Sequence, residues 1–204
     1  MLKIYYADTS CVDLTDTGPL STYRRGRLEK QAGEKSKRES LGAERLLNIA
    51  LSELCPGIRL PADIVCDEYG KPGLPGKEIY FSLSHSGGFV ACAVGDAELG
   101  IDIQLLTSYR EKMAARYFHP AENEFLKRSK NRDEDFTRLW CMKESYVKAH
   151  GKGLSMGLEK FNALELPCIW SGAFDRFYMA VCVRGGEACV PDSIEYKDLN
   201  SGRK

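Results

Sequence analysis

Apolar residues recur along the chain with two different periods, which predict a structure of both strands and helices. Alternating or continuous apolar runs predict strands at residues 1–7, 64–66, 80–84, 89–94, 100–104 and 174–183. Helical spacing of apolar residues predicts helices at residues 40–54, 113–118, 120–126 and 133–150. No apolar run approaches the length of a membrane span, so we expect no contact with a membrane.

The last of these predicted helices, which we expect to end at Gly151, carries a face of mixed character. At about 100° per residue, one narrow stripe holds Trp140, Glu144, Val147 and Lys148. One interpretation is an ordinary exposed pair of Glu144 and Lys148, one helical turn apart. The other is a carboxylate and a lysine at the edge of a cleft, where they would bind a metal ion or a phosphate.

Two further segments place polar side chains where they need an explanation. On the predicted strand 100–104, Asp102 and Gln104 point away from the isoleucines, and Asp is depleted in strands. Asp102 is therefore either a metal ligand or a residue on a half-exposed strand face. The segment 84–88 (Ser-His-Ser-Gly-Gly) combines hydroxyls, an imidazole and glycine amides, so it is either a phosphate cradle or an ordinary hairpin loop.

Composition limits the classes of partner. The chain has 204 residues, enough for one large domain or two small ones, and Lys+Arg and Asp+Glu both number 29. With no net charge, no global field attracts nucleic acid or membrane. Residues 21–48 nevertheless hold eight basic and four acidic side chains, so this segment is either a local anion site or a solvated helix face.

Cysteine and histidine spacing excludes some classes of site. The eight cysteines form no Cys-x-x-Cys pair, and several lie in apolar runs, which predicts reduced core residues of a cytoplasmic protein. No signal peptide is expected at the N-terminus. The three histidines lack the spacing of a zinc site, and no P-loop frame is present.

Five motifs follow one another along the chain. They are Tyr69-Gly70-Lys71-Pro72, Phe81-Ser82-Leu83-Ser84-His85-Ser86-Gly87, Gly100-Ile101-Asp102-Ile103, Tyr117-Phe118 with Glu122, and residues 140–148 followed by Gly151-Lys152-Gly153-Leu154-Ser155. In their order and spacing, and from about Arg24 to Val183, they resemble the Sfp-type 4′-phosphopantetheinyl transferases. The resemblance implies an α+β fold of two similar halves related by a pseudo-twofold, with the active site between them. We expect residues 1–98 to contact the adenine and 3′-phosphate of coenzyme A, and residues 99–204 to carry the metal-binding and catalytic residues.

The resemblance also implies a reaction, in which the 4′-phosphopantetheine arm of coenzyme A moves to a serine of an apo acyl or peptidyl carrier protein. The by-product is adenosine 3′,5′-bisphosphate, the metal is Mg²⁺ or alternatively Mn²⁺, and a monomer is expected. The implied metal ligands are Asp102, Glu144 and Gln104. The implied catalytic residues are Glu144, Lys148 and Glu122, with Glu122 and Glu144 as rival bases. The implied coenzyme A contacts are Arg25, Arg38, Lys71, Ser84, His85, Lys143 and Lys148.

Gln104 departs from the family pattern, which often has a second acid at this place. An amide oxygen can ligate Mg²⁺ but adds no charge. This departure supports one alternative, a non-catalytic module that binds coenzyme A or a carrier protein. A second alternative is a metal-dependent phosphohydrolase, which fits a pair of Asp102 and Glu144 as chemistry but not the family motifs. For the carrier, we expect docking on the helix from Pro120 to Arg132, through Phe125, Leu126, Lys127 and Arg128.

Overall fold

The computed structural model describes residues 1–16, 18, 20–76, 78–186 and 189–200. The chain divides into two compact units, of which the first comprises residues 1–97 with the segment from Pro191 onward, and the second comprises residues 98–190. We call them the N-terminal unit and the central unit. The fold class is α+β, as predicted.

The N-terminal unit is a four-stranded sheet covered by helices. Its elements are β1 (Leu2–Asp8), α1 (Thr22–Leu28), α2 (Glu34–Leu54), β2 (Val65–Cys66), β3 (Pro72–Gly73), β4 (Tyr80–Ser86), β5 (Phe89–Gly95) and β9 (Ser193–Tyr196). The strand order is β4-β5-β1-β9, and β2 and β3 form a separate short hairpin. Helix α2 buries Leu46, Leu47 and Leu51 against this sheet.

The C-terminal segment does not follow the predicted division of the chain at residue 98. Strand β9 pairs in parallel with β1, with Ile194 opposite Ile4. The backbone hydrogen bonds of this pairing tie the segment from Pro191 to the N-terminal unit rather than to the central unit. Residues 201–204 of the predicted second half lie outside the described residues.

The strands β4 and β5 form a tight hairpin. Gly87 and Gly88 have φ of 61° and 91°, a left-handed conformation that suits a two-residue turn. The loop predicted over residues 84–88 is therefore shorter, because β4 continues through Ser86. In this register His85 lies opposite Val90.

The central unit is a three-stranded antiparallel sheet packed against one long helix. Its elements are β6 (Leu99–Leu105), α3 (Glu111–Tyr117), α4 (Pro120–Arg128), α5 (Arg132–His150), β7 (Ile169–Phe174) and β8 (Phe177–Val183), with 3-10 turns at Gly153–Met156, Leu158–Lys160 and Ala163–Glu165. The strand order is β6-β8-β7. Phe118, Phe136 and Leu139 are buried in the core that holds α3 and α5 together.

Helix α5 carries the mixed stripe, and its ends have clear causes. Acidic side chains occupy its first turn, where their negative charge interacts favourably with the positive end of the helix dipole. Gly151 ends it in a left-handed conformation with φ of 72°, which confirms the predicted stop. No helix among the described residues is long and apolar enough to cross a membrane.

The cysteines follow the prediction of reduced core residues only in part. Cys92, Cys141, Cys182 and Cys189 are buried, whereas Cys11 and Cys66 are exposed. Burial raises the pKa of the Cys141 thiol well above its usual value, so this thiol is protonated and unreactive at neutral pH.

Candidate active site

Gly100 allows α5 to lie directly on β6. A Cβ atom at this position would be 2.3 Å from both the backbone nitrogen of Ala149 and the backbone oxygen of Ser145. Only glycine tolerates so close an approach of two backbones. Because side chains alternate along a strand, Gly100 and Asp102 share the face of β6 that meets α5.

Asp102 is held by a lysine of that helix. The Nζ atom of Lys148 lies 2.7 Å from Oδ1 of Asp102, and the side chains are 31% and 9% exposed. This contact excludes the interpretation of Asp102 as a residue on a half-exposed strand face. An ion pair at this depth is less screened than one at the surface.

Glu144 stands one helical turn before Lys148 and is partly buried. Burial raises the pKa of its carboxyl, the negative charge of Asp102 raises it further, and Lys148 opposes both. The two carboxylates therefore repel each other, and the lysine partly offsets that repulsion. The interpretation of Glu144 and Lys148 as an ordinary surface pair does not fit this environment.

Gln104 continues the same row on β6. It lies opposite Tyr178 of β8, is partly buried, and by strand alternation points to the face that holds Asp102. It thus presents an amide beside a carboxylate, in the place where sequence reasoning put the third metal ligand.

The donors of this face suit a hard divalent cation. Carboxylate and amide oxygens are the ligands that Mg²⁺ and Mn²⁺ prefer, and a cation would relieve the repulsion that raises the pKa of Glu144. Over the described part of the chain, no group of three or more His, Cys, Asp or Glu side chains is arranged to hold a metal. Gln104 supplies an oxygen of another kind, so the residues fit a cation bound by two acids and an amide.

Glu122, a predicted base, lies instead at the centre of a buried network. Its side chain has no exposed surface and accepts hydrogen bonds from the backbone nitrogens of His119 at 2.8 Å and Ala163 at 2.7 Å. With His119 it forms the capping box at the start of α4. A carboxylate with these contacts is a structural anchor between α4 and the turn at Ala163–Glu165.

Lys143, a predicted phosphate ligand, is the buried partner of Glu122. Its Nζ lies 2.7 Å from Oε2 of Glu122, donates to the carbonyl of Phe161 at 2.8 Å, and stands 4.3 Å from the centre of that ring. Burial lowers the pKa of this lysine, and Glu122 opposes the shift. Neither side chain reaches solvent. Their contacts therefore argue against Glu122 as a base in proton transfer and against Lys143 as a phosphate ligand.

The basic residues predicted in the N-terminal unit are distributed over separate elements. Arg25 is exposed on α1, and Lys71 is partly buried beside the β3 turn, where its backbone nitrogen donates to Asp67. Arg38 on α2 donates from Nη1 to the carbonyls of Ser10 and Val12 at 3.3 and 3.0 Å. Part of the Arg38 guanidinium therefore anchors the loop after β1.

Ser84 and His85, which are neighbours on β4, point to opposite faces of the sheet. Ser84 is buried at 6% exposure, whereas the His85 side chain is 47% exposed. Nδ1 of His85 lies 3.0 Å from Oε2 of Glu39, a residue of α2. Ser84 and His85, which were both predicted to contact coenzyme A, therefore lie in different environments.

Sequence reasoning missed two residues of these sites. Gly100 is part of a sequence motif, and a glycine inside an apolar strand is also a signal of close backbone approach. In the sequence, Glu39 is one of four acidic residues within a basic segment. Its spacing from the Ser-His-Ser segment carries no signal, because the contact joins elements about 46 residues apart in the sequence.

Comparison with known proteins identifies the family. The model of the 4′-phosphopantetheinyl transferase superfamily matches residues 98–180, which include Asp102, Glu144 and Lys148. The AcpT 4′-phosphopantetheinyl transferase of Salmonella typhi is 33% identical over 192 residues, which cover 87% of this chain and 95% of that protein.

Two Bacillus subtilis proteins are similar over a shorter region. A 4′-phosphopantetheinyl transferase is 37% identical over 150 residues, 64% of this chain and 66% of its own length. The Sfp 4′-phosphopantetheinyl transferase of strain 168 is 37% identical over 134 residues, 56% of this chain and 60% of its own length. The matched part of this chain thus spans less than two thirds of either relative.

A solved structure, the holo-[acyl-carrier-protein] synthase of Thermotoga maritima, aligns with a TM-score of 0.32 and 21% identity, covering 43% of this chain and 62% of that one. That alignment is too weak to support an argument. The near-complete match to the Salmonella protein and the superfamily match carry the assignment. The chain therefore belongs to the 4′-phosphopantetheinyl transferase superfamily and is of the Sfp type.

Proposed function

We propose that this chain transfers the 4′-phosphopantetheine group of coenzyme A to a serine of an apo acyl or peptidyl carrier protein. The serine oxygen forms a bond to the phosphorus that carries the pantetheine arm. The bond between that phosphorus and the bridging oxygen breaks, and adenosine 3′,5′-bisphosphate leaves with that oxygen. The serine proton passes to a base.

One observation carries this proposal: the ammonium of Lys148 lies 2.7 Å from Asp102, next to the carboxyl of Glu144. In the reaction, Lys148 offsets the negative charge that develops on the departing oxygen. Glu144 accepts the serine proton, directly or through a water.

Asp102, Glu144 and the amide of Gln104 are the residues that would hold Mg²⁺ or Mn²⁺. When bound, such an ion neutralises the charge of the diphosphate. Asp102 is buried and ion-paired, so we assign it as the ligand whose position is fixed before a metal ion binds. Gln104 adds an oxygen but no charge, so we expect weaker metal binding than three acids would give.

The residues that we assign to the adenine and 3′-phosphate end of coenzyme A are Arg25, Arg38, Lys71, Ser84 and His85. Arginine and lysine suit phosphate oxygens, and the half-exposed His85 side chain offers a further contact. Lys143 is left out, because the Glu122 carboxylate and the Phe161 carbonyl occupy its ammonium inside the core.

For the carrier protein we assign α4 as the docking element, with a narrower surface than the sequence predicted. Leu126 is fully buried, so it supports the fold and does not reach a partner. Lys127 is 66% exposed, and Arg128 is exposed beside it. These two cations would meet the acidic surface expected around a carrier serine.

Intact-mass analysis of apo carrier proteins tests the function. Apo acyl and apo peptidyl carrier proteins are incubated with coenzyme A, Mg²⁺ and this protein, beside carriers whose serine is replaced by alanine. We expect the mass of one phosphopantetheine group on a serine carrier and none on the alanine carriers. No mass gain on any carrier overturns the transferase assignment.

Two further measurements on the same samples separate the two other functions. Calorimetric binding of coenzyme A without a mass gain would identify a non-catalytic module, and release of inorganic phosphate would identify a phosphohydrolase. No contact among the described residues of the central unit favours either of them over transfer. We retain a monomer in the cytoplasm as part of the proposal, with light scattering as the test of the monomer and fractionation of the source cell as the test of its location.

A further inference from the structure

Glu39 is a buried carboxylate that the proposed chemistry does not use. It lies on α2, its side chain is 7% exposed, and both of its oxygens are engaged. Oε1 accepts a hydrogen bond from the backbone nitrogen of Gly88 at 2.9 Å, and Oε2 lies 3.0 Å from Nδ1 of His85. Both partners belong to the tip of the β4–β5 hairpin.

The position of His85 follows from strand alternation. Phe81, Leu83 and His85 share the face of β4 that meets α2, and the first two pack into the core of the N-terminal unit. His85 ends this row with a side chain that is 47% exposed. Nδ1 of its ring therefore lies on a buried carboxylate, while about half of the side chain surface is exposed.

A carboxylate on one ring nitrogen controls what the other nitrogen can do. When Nδ1 carries a proton for Glu39, the ring orientation and the place of Nε2 are fixed together. In the doubly protonated form, Nε2–H donates a charge-assisted hydrogen bond to an anion while Glu39 balances the charge. The same carboxylate also ties the Gly88 amide, so the turn and the ring are set by one group.

We propose that Glu39 is a positioning residue for His85, which it orients so that Nε2 contacts the 3′-phosphate of coenzyme A. The inference rests on the proposed function, because it concerns the same substrate. It assigns Glu39 a role in phosphate recognition in addition to its role in holding the hairpin. A role confined to the hairpin would affect every ligand of the unit alike.

The test compares binding of coenzyme A and of 3′-dephospho-coenzyme A by calorimetry. Glu39→Gln keeps the size of the side chain but removes its charge, so we expect about tenfold weaker binding of coenzyme A. Binding of the dephospho form should change less than twofold. In a background of His85→Ala, Glu39→Gln should have no further effect on coenzyme A binding.

Glu53→Gln is the matched control. Glu53 lies on the same helix and pairs with Lys197 at 2.7 Å, about 21 Å along the helix from Glu39. We expect no change in either affinity. Equal losses for both ligands, unchanged coenzyme A binding, or additive effects with His85→Ala would overturn the inference alone. Absence of coenzyme A binding by the unaltered protein would overturn the proposed function as well.

A second measurement needs no change at Glu39, in case that variant fails to fold. The chain has three histidines, so the ¹⁵N signals of His85 can be assigned by comparison with His85→Gln. We expect a proton on Nδ1, and a shift of the Nε2 signal when coenzyme A is added but not when the dephospho form is added. A bare Nδ1, or an Nε2 signal that ignores the 3′-phosphate, contradicts the proposal.

Discussion

Lys148 reaches across from helix α5 to place its ammonium 2.7 Å from the Asp102 carboxylate on β6. The same lysine opposes the rise in the pKa of Glu144. The Lys148 ammonium thus offsets the negative charge of both carboxylates. A divalent ion would bind to the same two groups. Lysine and metal ion would therefore compete for Asp102 before the substrate binds.

Lys148→Ala should separate metal binding from transfer. Without the ammonium, we expect Mn²⁺ to bind more tightly, by about threefold to tenfold, because a competing charge is removed. Phosphopantetheine transfer should fall by two orders of magnitude or more, since the departing oxygen loses its partner. Electron paramagnetic resonance of Mn²⁺ and the carrier mass assay measure the two effects. Lys112→Ala, an exposed lysine of α3, should change neither, and weaker Mn²⁺ binding by Lys148→Ala would refute the competition.

Glu144→Gln should abolish transfer and yet stabilise the metal-free protein. Because the folded-state pKa of this carboxyl is raised, the native state holds its proton to a higher pH than the unfolded state does. Stability is therefore lost as pH rises from about 4.3 through the raised pKa, and glutamine escapes that loss. We expect a Tm about 1–4 °C higher at pH 7, on the order of 1 kcal/mol.

The gain in Tm for Glu144→Gln should shrink toward zero at about pH 4, where the carboxyl of the unaltered protein is largely protonated in both states. Thermal melts in chelator at the two pH values check this. A variant that melts lower than the unaltered protein at pH 7 would show that the carboxylate is stabilising.

Glu122→Gln and Lys143→Met should each destabilise the fold by about 3–5 kcal/mol, since each leaves one buried charge without its partner. The double variant should recover much of that loss, because no unpaired charge remains. Denaturant unfolding measures these changes. Transfer by the folded double variant should stay within about fivefold of the unaltered protein, whereas a loss of two orders of magnitude would restore Glu122 as a catalytic base.

Gly100→Ala should destabilise the central unit by about 2–3 kcal/mol or more, because the added methyl group meets backbone atoms of α5 that cannot move aside. Any displacement of α5 also moves Lys148 away from Asp102. Gly26→Ala is the control, as its added Cβ meets nothing within 4 Å on helix α1, and it should be neutral or slightly stabilising. Equal melting temperatures for the two variants would contradict the close packing of α5 on β6.

Charge reversal of Lys127 and Arg128 to glutamate should raise the KM for the carrier protein by about fivefold to tenfold and spare coenzyme A binding. Lys127 already pairs with Glu124 at 2.7 Å, so we expect Arg128 to account for more of the effect. Steady-state kinetics with varied carrier and calorimetry with coenzyme A are the measurements. If only coenzyme A binding suffers, α4 is not the docking element.

The sequence predicted the strands and helices well where apolar periodicity was strong. It predicted them less well where charged residues left no apolar periodicity. Helix α2 begins at Glu34 rather than near Ser40, because its first turn is built almost entirely of polar residues. The hairpin loop was predicted too long, since the serines of β4 resemble loop residues. Pairing of β9 with β1 was not foreseen, because contacts between the two ends of a chain leave no local pattern.

For the candidate site, helix geometry decided what spacing alone left open. Lys143 and Glu144 are neighbours in the sequence, but a rotation of about 100° sends the lysine into the core and the glutamate toward β6. The two residues look equally reactive in a motif. Their assignments to substrate and metal, like those of the basic residues of the N-terminal unit, remain predictions for the experiments above.

The parallel pairing of β9 with β1 makes the central unit an insertion within the sequence of the N-terminal unit. A fragment that stops at Ala97 would keep the sequence of the first half but leave the outer edge of β1 without its hydrogen-bonding strand. Such an edge invites association with other chains. A dissection of this chain should therefore join residues 1–97 to the segment from Pro191 through a linker, and should excise residues 98–190 as a piece with two cut ends.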